Sequence, residues 1–411
     1  MSKRIYLLSL LGTFMFLTLG TFAQTGLGLA IGTIDHPTPW SCSDAYYHGA
    51  NGTATCFSTN ISCPGTDPSN PIRLTFGFIQ GGDANPSTKG VIVLFTGSGG
   101  TDITEAEDRN TDYTDTYLQA GYMVIEVQWG DGTPAYAWEG TSQGGGDSTY
   151  GIRYAACRPA TFLNYVYYKY YVPMQTYHAH AGMCAQGFSG GSSAVGYALA
   201  WYGGGSDTSR VYLDNVELIS GPTFSDIKKG CDPDESKQNI DVCGPSNSPP
   251  SWCHLGSGGS DWLIPPGYLE VASSIDIWSG MLPPPNPPTC THNSSGDSVW
   301  LNMSIVNGTS NATFSYPNTK VADWICRTAI PGMNNSSSQG FLFDEQMETP
   351  PNSSTNKLAV YAVDNCGGDE GVNGSQAVVP AFPGCDPLHG GDCGFNAVRA
   401  DMVANCAHPH N

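Results

Sequence analysis

Between residues 72 and 220, short apolar runs alternate with helix-forming stretches. That alternation restricts the fold more than any other feature of the chain. Residues 72–79 are strand-like. Val91-Ile92-Val93-Leu94-Phe95 is continuously apolar, the pattern of a strand buried on both faces. A polar helix is expected over about 103–120, ending at Gly121, and a strand over 122–127. Residues 153–171 read as a long helix closed by Pro173, 183–188 as a strand, 192–202 as a small-residue helix running into three glycines, and 216–220 as another strand. The rhythm breaks over 223–355, which is rich in Pro, Ser, Asn and Cys. It returns at 358–363, before a last helix over about 394–406 with Phe395, Val398 and Met402 on one face. Strands alternating with helices predict an α/β fold with a mainly parallel sheet and helices on both faces. The expected organisation is an N-terminal extension rich in Cys and Gly (24–70), the first part of the core (71–222), a large disulfide-rich insertion serving as lid or substrate platform (223–355), and the last part of the core (356–411).

Residues 1–23 are set apart. Lys3 and Arg4 precede an apolar run that ends in Thr21-Phe22-Ala23, the order of a signal peptide, with cleavage expected after Ala23. The protein is therefore expected to be secreted, extracellular or periplasmic. No later segment is long and apolar enough to span a bilayer. All 14 cysteines follow residue 23. An even number in an exported chain points to disulfides, with Cys231/Cys243 and Cys385/Cys393 as short-loop candidates. No C-x-x-C pair occurs and no His is spaced with Cys as zinc requires, so no metal site is expected. Asn51, Asn302, Asn307, Asn311 and Asn373 stand in Asn-x-Ser/Thr sequons, which matter only in a glycosylating host. Lys+Arg 16 against Asp+Glu 36 gives a formal charge of −20. A field of that sign repels phosphate backbones and argues against nucleic acid as a partner.

Gly187-Phe188-Ser189-Gly190-Gly191 matches G-x-S-x-G, and so does Gly140-Thr141-Ser142-Gln143-Gly144. Context separates the two. Ser189 follows a predicted strand and opens a helix of small residues, which lets strand and helix approach closely around a strained turn. Ser142 has no strand before it and no helix directly after it. Ser189 is therefore the candidate nucleophile, while Ser192 and Ser193 suit the opening of the helix. Attack on a carbonyl places negative charge on its oxygen, and backbone N–H groups aimed there lower the barrier. One donor is expected from Gly190, the residue after the nucleophile. The second is expected from the Gly-rich turn after 91–95, at Gly97 or Ser98, where glycines let the amides turn inward.

With these two motifs the chain resembles the α/β-hydrolase superfamily over about 72–222 and 357–411, most closely its secreted esterase and lipase branch. Its turn, Thr96-Gly97-Ser98-Gly99-Gly100, lacks the His that opens the HGGG version. The resemblance implies a chain order of Ser, acid, His. Of the late histidines, His389 lies directly before the last helix, whereas His408 and His410 stand in the final four residues. His389 is the expected base. Asp369, just beyond 358–363, is the first candidate for the acid, with Asp364 and Asp226 as alternatives. No cofactor is implied.

Trp129, Tyr136 and Trp138, after the 122–127 strand, are candidates to line an acyl or aromatic pocket. Trp252, Trp262, Trp278 and Trp300 belong to the insertion. Five tyrosines at 165, 167, 168, 170 and 171 suit partly buried, amphipathic packing. The function expected is a serine hydrolase cleaving carboxylic esters, small or polymeric, through an acyl-enzyme. A serine peptidase of the same fold and an inactive, hydrolase-like binding protein are the alternatives. The sequence leaves the oligomeric state open.

Overall fold

The computed structural model describes residues 30–43, 46, 48–49, 52–64, 71–80, 88–96, 100, 113–130, 138, 155–188, 190–203, 211–219, 316–326, 357–363, 378–379 and 393–407. The expected nucleophile, acid and base fall outside these residues, as do Gly97 and Ser98.

The N-terminal block contributes β1 (Thr33–Ile34), β2 (Thr38–Trp40), β3 (His48–Gly49), β4 (Gly52–Thr53) and β5 (Thr55–Ser62). Next come β6 (Ile72–Gln80), β7 (Gly90–Phe95), α1 (Tyr113–Gln119), β8 (Met123–Trp129), α2 (Cys157–Val166), a π-helical turn (Tyr167–Tyr171) and α3 (Val172–Gln175). They are followed by β9 (Gly182–Phe188), α4 (Gly190–Tyr202), β10 (Asn215–Ile219), β11 (Lys320–Cys326), β12 (Lys357–Val363), β13 (Val378–Val379) and α5 (Cys393–Asn405).

The main sheet runs β1-β5-β6-β8-β7-β9-β10-β11-β12-β13, with β2 beside β5. From β8 to β12 every neighbouring pair is parallel. The pairs toward the N-terminal side, and β12 with β13, are antiparallel. An α/β architecture with a mainly parallel centre is thus present. Its periodicity is clearest in β7 and β8, where Val91, Val93, Phe95, Met123, Ile125 and Val127 enter one core and Ile92, Leu94 and Val124 the other. The first core also holds Phe162, Leu163, Val195 and Leu199 from α2 and α4. The second holds Tyr113, Tyr117, Val398 and Met402 from α1 and α5. Successive side chains along a strand thus bury on opposite faces, each large apolar one contributing about 1.5–3 kcal/mol.

The structure departs from the sequence reading at several points. Lys320–Cys326, inside the block read as one insertion, forms β11 between β10 and β12. Asp323 and Lys320 interrupt its apolar pattern, which hid it among polar residues. Thr55–Ser62, inside the N-terminal extension, pairs with β6 over seven positions and so belongs to the main sheet. The helix expected to stop at Pro173 passes it. Pro173 falls in the first turn of α3, where its missing N–H costs nothing, and the wider π turn Tyr167–Tyr171 leads into it.

Among the described residues, three disulfides join Cys42 to Cys56, Cys63 to Cys157 and Cys184 to Cys406. Cys63–Cys157 pins the N-terminal block to α2, helped by the Gly32 N–H donating to the Thr161 hydroxyl at 2.9 Å. Cys231, Cys243 and Cys385 lie outside the described residues, and the side chain of Cys393 is not described. No described helix is long and apolar enough to cross a membrane.

Candidate active site

β9 ends at Phe188 and α4 begins at Gly190, so Ser189 is the one residue between a buried parallel strand and a helix. Two glycines make the approach of strand and helix sterically feasible. A Cβ on Gly187 would stand 2.4 Å from the Gly191 carbonyl oxygen and 2.6 Å from the Ser192 nitrogen. A Cβ on Gly191 would stand 2.3 Å from the Phe95 carbonyl oxygen and 2.7 Å from that of Thr96. Backbone that close admits only hydrogen at both positions. The first turn of α4 therefore lies directly on the C-terminal end of β7, at Phe95 and Thr96. The Trp129 N–H donates to the Gly100 carbonyl at 2.7 Å.

Ser192 does not open the helix. It lies inside the first turn of α4, fully buried, with its hydroxyl 2.9 Å from the Gly187 carbonyl and 3.1 Å from the Ile219 carbonyl. The Ile219 N–H donates to the same oxygen at 3.0 Å. The elbow is thereby fastened to the end of β10.

Trp129 and Trp138 are each 1% exposed and belong to the first core. Both are side chains of that core. The physical reason is the strand parity: Trp129 shares the face of Ile125 and Val127, which α2 covers. Tyr136 and the four insertion tryptophans lie outside the described residues, as do Ser142, Asp226, Asp364, Asp369, His389, His408 and His410. Tyr165, Tyr167 and Tyr170 are partly buried, and Tyr168 is exposed. Tyr170 stacks on Phe78 with centroids 5.2 Å apart, and Tyr167 packs on Tyr212 at 5.4 Å.

A second polar feature lies beneath the strand ends, on the α1/α5 face. The register aligns Glu126, Leu94, Gln186, Glu217 and Ala322 across five strands. The Thr114 hydroxyl donates to Glu126 at 2.9 Å and the Tyr117 hydroxyl to Gln186 at 2.5 Å. Glu217 accepts from the Asn215 amide at 2.8 Å and from the Trp324 indole N–H. It is also hydrogen-bonded to Asp401, whose carboxylate takes both its oxygens to Lys320 Nζ at 2.8 and 2.9 Å. Burial first, and the neighbouring Asp401 charge second, push the Glu217 carboxyl well above its usual range. Burial does the same to the Tyr117 hydroxyl. Sequence reasoning missed this layer. The signal that could have found it is a polar residue at the matching position of three apolar strands, visible only once their register is known. No group of metal-ligating side chains occurs among the described residues.

No family model and no curated protein matches the chain. Solved structures do resemble it. An ester hydrolase from the metagenome of Lake Arreo is 11% identical over 78% of this chain and 76% of its own, with a TM-score of 0.41. Candida antarctica lipase A in its closed state is 11% identical over 82% and 76%, with a TM-score of 0.42. Acetyl xylan esterase from Paenibacillus sp. R4 is 12% identical over 79% and 81%, with a TM-score of 0.39. In the described residues, an antiparallel strand (β6) stands beside a run of parallel strands, and the G-x-S-x-G sequence falls where β9 gives way to α4, in an α/β architecture with a mainly parallel centre.

Proposed function

We propose that the protein is a serine hydrolase that cleaves carboxylic esters through an acyl-enzyme. The observation that carries this reading is the elbow. Gly187 and Gly191 admit a close approach of β9 and α4 on either side of Ser189, and Gly191 rests on Phe95 and Thr96, which precede Gly97-Ser98 in the sequence. In this reading Ser189 attacks the ester carbonyl, and His389 takes its proton and returns it to the leaving alcohol. Asp369 orients the imidazole and stabilises its cationic form. The N–H of Gly190 and that of Gly97 or Ser98 hold the oxyanion, a donor pair whose loss costs about 3–4 kcal/mol per member. Water then hydrolyses the acyl-enzyme by the same proton path. No step calls for a cofactor. Export fits the basic and apolar start of the chain together with three disulfides.

A fluorophosphonate probe tests the reading. Wild-type protein should be labelled, and Ser189→Ala should not. Ser189→Ala and His389→Ala should each lower p-nitrophenyl ester hydrolysis by at least about a thousandfold. Folded wild-type protein that resists the probe would overturn the reading. A matched peptide substrate should be turned over far more slowly than the ester. An unchanged rate in Asp369→Asn would move the acid to Asp364 or Asp226.

A further inference from the structure

The Ser192 hydroxyl is fully buried three residues after the candidate nucleophile, and nothing in the reaction as described uses it. Its contacts are not those of a helix cap. A cap serine accepts from an N–H of its own first turn. Ser192 instead reaches out of α4 in two directions. Its one proton is shared between the Gly187 carbonyl at 2.9 Å, on the strand that leads into Ser189, and the Ile219 carbonyl at 3.1 Å. Its lone pair accepts the Ile219 N–H at 3.0 Å. One oxygen thus bridges the strand before the elbow, the helix after it and the end of the neighbouring strand β10. The segment that it spans, 187 to 192, contains Ser189 and Gly190.

The bend otherwise rests on two glycines, at 187 and 191, which permit it without enforcing it. Glycine supplies room for close approach but adds conformational freedom. Something must hold the backbone of 187–192 against that freedom, and the Ser192 hydroxyl ties the two arms of the elbow through a side chain. We propose that Ser192 is a positioning residue: its hydroxyl locks the elbow to β10 and so fixes the Ser189 oxygen and the Gly190 N–H in the geometry that the acyl transfer requires. This inference rests on the reading of Ser189 as nucleophile and goes beyond it in assigning the element that holds it.

The experiment compares wild type, Ser189→Ala, Ser192→Ala and Ser192→Thr, each at a temperature where circular dichroism shows it folded. Wild type labels with fluorophosphonate and Ser189→Ala does not, which tests the nucleophile by itself. Ser192→Ala is expected to slow labelling and to lower kcat for the p-nitrophenyl ester by about ten- to a hundredfold, the scale of a small misplacement of reacting atoms, with KM within about twofold. Ser192→Thr keeps the hydroxyl and should recover most of kcat. Folded Ser192→Ala with wild-type kcat and labelling rate overturns the proposal, even if its melting temperature has fallen, because that is the outcome of a purely structural role. Should Ser192→Ala not fold, Ser192→Cys replaces it. The thiol fills the site with a weaker donor and is expected to give a reduced kcat at unchanged KM, and a wild-type kcat there overturns the proposal equally. Wild type that folds and does not label overturns both this inference and the reading under it.

Discussion

At the residue scale, the elbow depends on hydrogen where any other residue places carbon. Gly191→Ala puts a methyl 2.3 Å from the Phe95 carbonyl oxygen, and neither backbone can retreat without moving β7 or α4. The substitution should cost roughly 1–3 kcal/mol in urea denaturation, the range of an overpacked core. It should also lower ester hydrolysis more than that loss of folded protein explains. Equal loss of activity and of folded fraction would separate the glycine from the chemistry. The pattern Gly-Phe-Ser-Gly-Gly was legible in the sequence. That Gly191 abuts Phe95 and Thr96 was not, because the contact joins residues almost a hundred positions apart. Ser192 illustrates the same limit. By local rules it opened a helix, whereas its hydroxyl is taken by a strand 27 residues away.

At the element scale, α5 is fastened to the strand that carries the candidate nucleophile. Cys184, five residues before Ser189, is bonded to Cys406 across a separation of 222 positions. Beside it the Tyr122 hydroxyl lies 3.1 Å from both the Val403 and the Cys406 carbonyls. Removing the pair as Cys184→Ala with Cys406→Ala should cost about 2–5 kcal/mol, read as a lower midpoint in urea. Tyr122→Phe removes a hydrogen bond and should cost about 0.5–1.5 kcal/mol by the same measurement. Both variants loosen the helix that directly follows the His389 segment, so a fall in kcat beyond the stability loss would tie that helix to the site. Strands of continuous apolar residues such as β7 were readable because both faces are buried. β11 was not, since Lys320 meets its partner, Asp401 of α5, only in the folded chain.

At the scale of the whole molecule, acidity is managed differently inside and outside. The chain carries a formal charge of −20, yet fully buried Glu217 has its carboxyl pushed well above its usual range by burial first and by the Asp401 charge second. Lys320 and Arg399 are the cations of this layer, and Tyr117 faces it from α1. A carboxyl whose folded value is raised adds stability that is complete below its ordinary value of 4.5 and is lost as pH climbs through the folded value. Stability is therefore expected to decline on the alkaline side. Glu217→Gln should flatten that decline in melting curves taken from pH 4 upward, because the isosteric amide has no proton to lose. An unchanged slope would place the pH dependence in other groups.

The sequence by itself determined the α/β class, the alternation of buried strands and helices, and the strand-serine-helix order at Ser189. Each of these is written in residues near one another, as apolar period, glycine spacing and side-chain size. Tertiary structure alone decided that 320–326 joins the sheet, that Trp129 and Trp138 are core, that Ser192 bridges to β10, and that Glu126, Gln186 and Glu217 form one layer. The reason is the same in each case. A side chain's partner is set by strand register and crossover, and a hydrogen bond or a steric contact acts over a few ångströms between residues that the chain itself keeps tens or hundreds of positions apart.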